Sequence, residues 1–436
     1  MHLSGRPSSI WLLLILGLFP AFSYRESPAA EPAPATRWVN PAHLEHLYRT
    51  FRLPNGAEVG TIAIYSNAPE YHLITDADEG FTCVDDVSRA ALFLLHEPDL
   101  TTRADRQDQL RKLTEFVLRL QSDNGYFYNF LWPDHTINRT FRTSVNQPNW
   151  WSWRAFWHLT EAYPYFQKAD PALAGRIHTA NRRLAEVMLR DFGHKPKEMT
   201  LIGGLSVPKW LPYGSGTDQA AIMMLGLLNY RRHTPDPQVV GLIELLGEGI
   251  LAMQQGDAQQ FPHGAFLSFE TTWHAYGSDQ AYALLRAGKA LNKPAWVEAA
   301  RREIDHFYPY LLKEGFLESF AVIKPGDTIR AEKMSRFAQI AYGVRPMIWS
   351  ALEAYDQTQE ARYLDTAAQL AGWFLGVNAA RTKMYDPATG RCFDGITSAT
   401  AVNRNSGAES TIEALWAFQR LEKYPGVMKA LEKYRN

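Results

Sequence analysis

The sequence predicts an all-α protein closed into an (α/α)6 toroid, on three observations. Apolar residues recur at helical spacing in twelve segments after residue 80, with Gly, Pro, Asn and Asp between them. The segments pair, and first members start roughly every 60 to 70 residues, the period of a repeated helical hairpin. First members are apolar nearly all round whereas second members carry a charged face, as expected of an inner ring of helices wrapped by an outer one.

First members begin near Asp85, Trp150, Asp218, Asp279, Tyr342 and Glu409, and second members near Thr101, Asp170, Pro235, Lys293, Gln359 and Tyr424. AAIMMLGLL (220–228) and TIEALWAF (411–418) typify the inner set, LRKLTEFVLRL (110–120) and WVEAARREIDHFY (296–308) the outer. Residues 37–80 do not follow the repeat. They read as a helix over 41–51, then a short β-hairpin around VGTIAIY (59–65) lying over one mouth of the ring.

The chain of 436 residues thereby divides into a leader, a linker and one toroid domain over 37–436. Arg6 precedes an apolar run over residues 10–19, and Ala21, Phe22 and Ser23 offer small residues for cleavage, so residues 1–23 read as a secretory signal. Residues 24–36 are a Pro/Ala-rich linker. The mature protein is expected to be soluble, in a periplasm or secreted, with no membrane contact after cleavage. A net charge of -1, with no block of one sign, argues against a nucleic-acid partner. The two cysteines, Cys83 and Cys392, precede the first and sixth inner helices; they read either as a disulfide at the seam of the ring or as two buried thiols.

Four inner helices begin alike: VDDVSRA (84–90), GTDQAA (216–221), GSDQAY (277–282) and GAESTI (407–412). A lone acid at a helix start is ordinarily a cap or a dipole partner. Inner N-termini all open at one end of the ring, however, so these acids converge on one mouth. Paired carboxylates in an aromatic cleft are what glycosidic cleavage needs, one protonating the leaving oxygen and one activating water or attacking the sugar. Asp85, Asp86, Glu409, Asp279 and Asp218 are the candidate catalytic acids. Asp85 and Asp86 point about 100° apart on a helix, so they cannot serve the axis equally.

Candidate substrate-binding residues stand at the same mouth: Trp150, Trp151 and Arg154, then Trp273, His274 and Tyr276, then Tyr342, Arg345 and Asn405. Trp and Tyr can stack on sugar faces, while Arg and Asn bond hydroxyls or a uronate. Trp153 reads either as a mouth residue or as core and Trp157 as core, while Asp123-Asn124-Gly125 reads as a turn whose run, DNGYFYNF (123–130), is also a candidate border of the cleft. No GxSxG, HExxH, P-loop or GxGxxG motif is present and the 13 His do not cluster, so neither cofactor nor metal is expected.

EGFTCVDDVSRAAL (79–92), MYDPATGRCFDGI (384–396) and VNRNSGAESTIEAL (402–415) resemble segments of bacterial proteins of the six-hairpin glycosidase-like superfamily, some of them fused to glycosyltransferases. That resemblance implies an (α/α)6 barrel and, for most members, glycoside hydrolysis; related toroids serve polysaccharide lyases and sugar epimerases. It ranks Asp85, Asp86 and Glu409 first among the acids. The expectation is a glycoside hydrolase acting on an oligo- or polysaccharide. A lyase using His274, Tyr276 and Arg345, or a non-catalytic sugar-binding toroid, are the alternatives.

Overall fold

A computed structural model describes residues 37–53 and 56–434. The expected leader and linker lie outside the described residues. A short helix, α1 (Ala42–Leu47), precedes the ring. Among the described residues the inner ring comprises α2 (Val84–Leu95), α4 (Trp150–Ala169), α6 (Thr217–Tyr230), α8 (Gln280–Ala290), α11 (Arg345–Thr358) and α13 (Ala408–Leu421). The outer ring comprises α3 (Ala104–Arg119), α5 (Pro171–Phe192), α7 (Pro237–Ala252), the pair α9 (Pro294–Arg302) and α10 (Tyr308–Glu314), α12 (Arg362–Ala371) and α14 (Pro425–Leu431). Every start lies within one helical turn of its sequence expectation. Outer helices α5, α7, α9 and α14 each begin with Pro, where its missing N–H costs nothing.

Inner helices pack in sequence, α2 on α4, α4 on α6, α6 on α8, α8 on α11, α11 on α13, and α13 returns to α2, which closes the ring. All fourteen residues of α6 are buried, as its all-round apolar sequence requires. The α4–α6 crossing is so close that a Cβ on Gly226 would stand 2.5 Å from the Phe156 ring. No described helix is long and apolar enough to cross a membrane.

Three features depart from expectation. The helix expected over 41–51 stops at Leu47, and the chain continues as strand Tyr48–Arg52, antiparallel to Glu58–Ile62. The fourth outer helix is broken by a π turn, Glu303–Phe307. A three-stranded antiparallel sheet of Thr272–His274, Ser319–Ile323 and Arg330–Ser335 was not foreseen.

The seam between the last hairpin and the first is laced by the N-terminal segment. The amides of Trp38 and Val39 donate to Glu422 at 2.7 and 3.1 Å, Ala408 N donates to the Ile64 carbonyl at 2.9 Å, and Ser406 N to that of Ser66 at 3.0 Å. No disulfide contributes. Cys83 and Cys392 are both buried free thiols: Cys83 packs with Ile64 and Phe130, while Cys392 belongs to the main core. The bridged reading is therefore corrected, and ring closure rests on packing and hydrogen bonds.

Gly226→Ala tests the tightness of the inner ring. Its methyl gains about 1 kcal/mol of helix propensity, but overpacking typically costs about 1–3 kcal/mol. Urea unfolding should show a net loss; a higher midpoint would mean that the Phe156 ring can move aside.

Candidate active site

The inner helices α2 and α13 open side by side into a cavity of about 300 Å³. Its wall carries Asp85, Asp86 and Arg89 from α2, Glu409 and Ser410 from α13, Asn129 and Phe130 from the expected border segment, and Asp394 and Glu79 from loops. The acids of α2 and α13 are not spent on capping. The N-cap of α2 is Cys83, whose sulfur accepts from Asp86 N at 3.4 Å, and α13 has no side-chain cap bond.

These carboxylates turn to one guanidinium. Arg89 Nη2 lies 2.9 Å from Asp85 Oδ2, and Nη1 lies 2.9 Å from both Asp86 Oδ1 and Glu409 Oε2. Its Nε stands 3.2 Å from Glu413 Oε1, out of hydrogen-bond alignment, so that contact is Coulombic. Arg154, fully buried on α4, donates through Nε to Asp85 Oδ1 at 3.1 Å and through Nη2 to the Tyr342 hydroxyl. Arg345, fully buried on α11, joins Glu413 at 2.5 Å and Asp279 at 2.8 Å. The Tyr342 ring lies beneath all three guanidiniums, 4.5 Å from Arg89, 5.3 Å from Arg154 and 5.7 Å from Arg345.

Five carboxylates thus face three guanidiniums. Two negative charges are left over in a largely dry cluster, where isolated charge is costly and protonation is the usual relief. The pKa pattern shows where the protons go. Burial, reinforced by neighbouring Asp85 and only partly opposed by Arg89, pushes Asp86 up to about 6. Burial and the surrounding acids push Glu409 up to about 7 against Arg89, although 41% of its side chain opens to the cavity. Burial works against ionising Asp85 too, but Arg89 and Arg154 together outweigh it and hold that carboxyl below the usual range. The cavity therefore sets Asp85, biased toward its ionised form, beside Glu409, biased toward its protonated form, on adjacent helices. Asp86, only 4% exposed, lies beneath them and accepts from the Cys83 thiol at 3.2 Å.

The other sequence candidates separate. Asp279 is completely buried with Arg345, so it balances charge and meets no substrate. Arg345, enclosed by Asp279 and Glu413, cannot reach a uronate as the lyase reading requires. Asp218 forms a separate pair with His274 Nε2 at 3.0 Å, and the His274 ring stacks on Tyr276, which is 42% exposed. Trp150 is half-buried against Gly277, where a side chain would strike its indole and crowd the Tyr342 hydroxyl; of the three tryptophans proposed as sugar platforms, it alone opens outward. Trp151 is core, donating to the Phe127 carbonyl at 2.7 Å, and Trp273 is core between Phe307 and Phe320. Asn405 is taken up by the segment before the ring, accepting from Ala68 N at 3.1 Å. Sequence reasoning missed Arg89, Glu413 and Asp394. Arg89 stands three and four residues after the paired aspartates, a helical ion-pair spacing visible in VDDVSR.

Removing Arg89 strands its carboxylates. Arg89→Met is expected to lose about 3–5 kcal/mol, as when one partner of a buried ion pair is deleted. Asp86 and Glu409 bind protons more tightly folded than unfolded, so the fold is favoured below their values and weakens as pH rises through 6 to 7. The variant should steepen that decline. Chemical denaturation at pH 5 and pH 8 checks this, and equal losses at both would show that the acids do not depend on Arg89.

No protein-family model matches this chain, and no curated protein matches it in sequence. Among solved structures it is similar to a D-mannose isomerase at 12% identity and TM-score 0.60, over 87% of this chain and 95% of the other. It is similar to a sugar epimerase from a ruminal bacterium at 10% identity and TM-score 0.57, over 84% and 92%. The GH76 α-mannanase of Bacteroides thetaiotaomicron follows at 12% identity and TM-score 0.50, over 80% and 88%. Identities this low speak for the fold, and these neighbours are carbohydrate-processing enzymes. The chain has the (α/α)6 toroid fold that they share.

Proposed function

We propose that this protein is an exported glycoside hydrolase that cleaves an oligo- or polysaccharide in the cavity between α2 and α13. The observation that carries the proposal is the pair of cavity carboxylates whose protonation is driven apart, Glu409 upward and Asp85 downward. Glu409 donates its proton to the glycosidic oxygen as the bond to the anomeric carbon breaks. Asp85 faces the positive charge developing there and either attacks the carbon or takes a proton from the entering water. Both acids rest on terminal nitrogens of one guanidinium. The shared cation keeps the two near one another, and cleavage of this kind uses carboxyl groups about 5–9.5 Å apart. Trp150 and Tyr276 supply open aromatic surface for a sugar at the same mouth. Export rests on the leader-like residues 1–23.

Screening the purified protein against plant and microbial glycans should reveal a cleaved substrate. Asp85→Asn and Glu409→Gln should each lower its turnover by about two to four orders of magnitude, with helicity unchanged. Wild-type activity should fall as pH rises past about 7, where Glu409 loses its proton, and the residual activity of Glu409→Gln should lack that limb. Interconversion of a free aldose without cleavage would replace hydrolysis by isomerisation or epimerisation, and an ultraviolet-absorbing unsaturated product would restore the lyase.

Export has its own check. The mature N-terminus, sequenced from protein secreted by a bacterial host, should begin at Tyr24; an intact Met1 on soluble cytosolic protein would remove export from the proposal.

A further inference from the structure

Both ends of the ring open, but the axis between them is closed. At the C-terminal ends of the inner helices a second cavity, of about 200 Å³, sets Arg286, Arg420 and Lys423 against Glu161, Glu353 and Asp356. A layer of three buried tryptophans separates it from the acid cluster: Trp157 stacks on Trp416 at 5.5 Å, and Trp349 meets Trp416 edge-on at 4.9 Å. A glycan held between Asp85 and Glu409 therefore cannot thread the ring. Its further sugars must leave sideways, across the mouth.

One side of that mouth is aromatic. Among the described residues the exposed Phe, Tyr and Trp side chains are Tyr213, Phe269 and Tyr276, all in the loops ahead of α6 and α8. These loops are joined, since Glu270 N donates to Ser215 Oγ at 2.8 Å and Thr217 N to the Ser268 carbonyl at 2.9 Å. Tyr213 reaches the corner ahead of α4, its hydroxyl donating to the Pro148 carbonyl at 2.8 Å. Tyr276 stands beside the acid cavity. A Cβ on Gly343 would lie 3.8 Å from Tyr276 N, and the same turn presents Ile340 and Ala341 to that cavity.

An exposed tyrosine needs no explanation by itself, but a buried polar pair that orients one does. The Tyr276 ring stacks on His274 with centroids 3.7 Å apart and planes 10° from parallel. His274 is fixed from both ends: Nδ1 faces the Tyr276 carbonyl at 2.9 Å and Nε2 faces Asp218 Oδ2 at 3.0 Å. Asp218 is held in turn, its Oδ1 accepting from Gln219 N at 2.6 Å. With one face spent on His274, the exposed area of Tyr276 belongs to its opposite face and edge.

We propose that a glycan chain longer than a disaccharide lies across this mouth, with a sugar beyond the cleaved bond stacked on the open face of Tyr276. The C–H face of a pyranose matches that ring. His274 and Asp218 are positioning residues, which keep the ring flat and in register with the acid cavity. The placement of the cleaved bond rests on the hydrolytic reading of that cavity; the platform itself does not.

The test uses cello-, xylo- and manno-oligosaccharides from the disaccharide to the hexasaccharide. Affinities are measured by calorimetry on Glu409→Gln, so that no ligand is consumed, and kcat and KM on protein with Glu409 intact for any ladder that is cleaved. Affinity should rise beyond the disaccharide in at least one ladder. Tyr276→Ala should remove about tenfold of that gain and leave the disaccharide unchanged, whereas Tyr276→Phe should keep it. His274→Ala should raise KM for the long members with kcat unchanged, and should add nothing to Tyr276→Ala. A merely structural role would act on every chain length alike. Absence of saturable binding by all three ladders, or an equal gain in wild type and Tyr276→Ala, overturns the platform even where cleavage still depends on Asp85 and Glu409. Tighter binding of long members that is lost in Tyr276→Ala, with no cleavage by the wild type, leaves the platform standing and overturns the hydrolytic reading alone.

Discussion

The cluster at the mouth depends on one guanidinium placed where the ring must close. Arg89 stands on the first inner helix and reaches Glu409 and Glu413 on the last. It therefore binds the seam of the toroid and organises the candidate acids in one act. Burying such a group in isolation would be prohibitive; four carboxylates and an aromatic face make it tolerable. A tightly packed apolar seam of similar volume would hold the ring at least as well. The expense of this network is better explained by what it does to its acids than by what it adds to stability.

That effect is a division of labour by charge count. Three guanidiniums cannot neutralise five carboxylates, and position decides which acids keep a proton. Asp85 is contacted by two arginines and is biased toward its ionised form; Glu409 is contacted by one, among other acids, and is biased toward its protonated form. Glu413, completely buried between Arg89 and Arg345, links the two ends of the network. All inner N-termini point into this mouth, and their positive dipole ends further offset the surplus negative charge. The sequence places four of these acids at helix starts, where they meet that dipole without any of them making a side-chain cap bond.

The architecture was legible because it is written in periodicity. Burial on both sides demands helices apolar all round, and α6 shows this with no exposed residue. The site was only half legible. Asp85, Asp86 and Glu409 were found from their place at helix starts, but Arg89 and Glu413 sit one turn deeper, where a charged residue in an apolar helix reads as an isolated exception. Asp279 and Asp218 share the same Ser/Thr-Asp-Gln-Ala core yet have different fates. Asp279 meets Arg345 and is sealed, whereas Asp218 meets His274 across a strand that helix periodicity does not reveal. The tryptophans divided for a similar reason: Trp273 belongs to the unforeseen sheet and packs on Phe320, its neighbour across the strands. The cysteines illustrate a converse error. Their positions flank the seam correctly, but Cys83 is committed to capping α2 and to Asp86.

The axis below the acid cluster explains how one ring can carry two polar mouths. A continuous water-filled bore would screen the charges and erase the differences in protonation that the first mouth needs. The tryptophan layer prevents this, and it does so with cations on both faces: Arg345 lies 5.1 Å from Trp349 and Trp416 on one side, and Arg420 lies 5.3 Å from Trp349 on the other. Aromatic faces are the one apolar surface against which a guanidinium can rest with partial compensation. They allow arginines to approach the dry centre from both ends without meeting. The toroid can thus keep five acids and three guanidiniums in strong mutual contact above the layer, while the groups below it are balanced among themselves. A smaller residue at Trp157, Trp349 or Trp416 would open a path for water between the two, so the protonation pattern of the first mouth is a property of the whole axis and not of its lining residues alone.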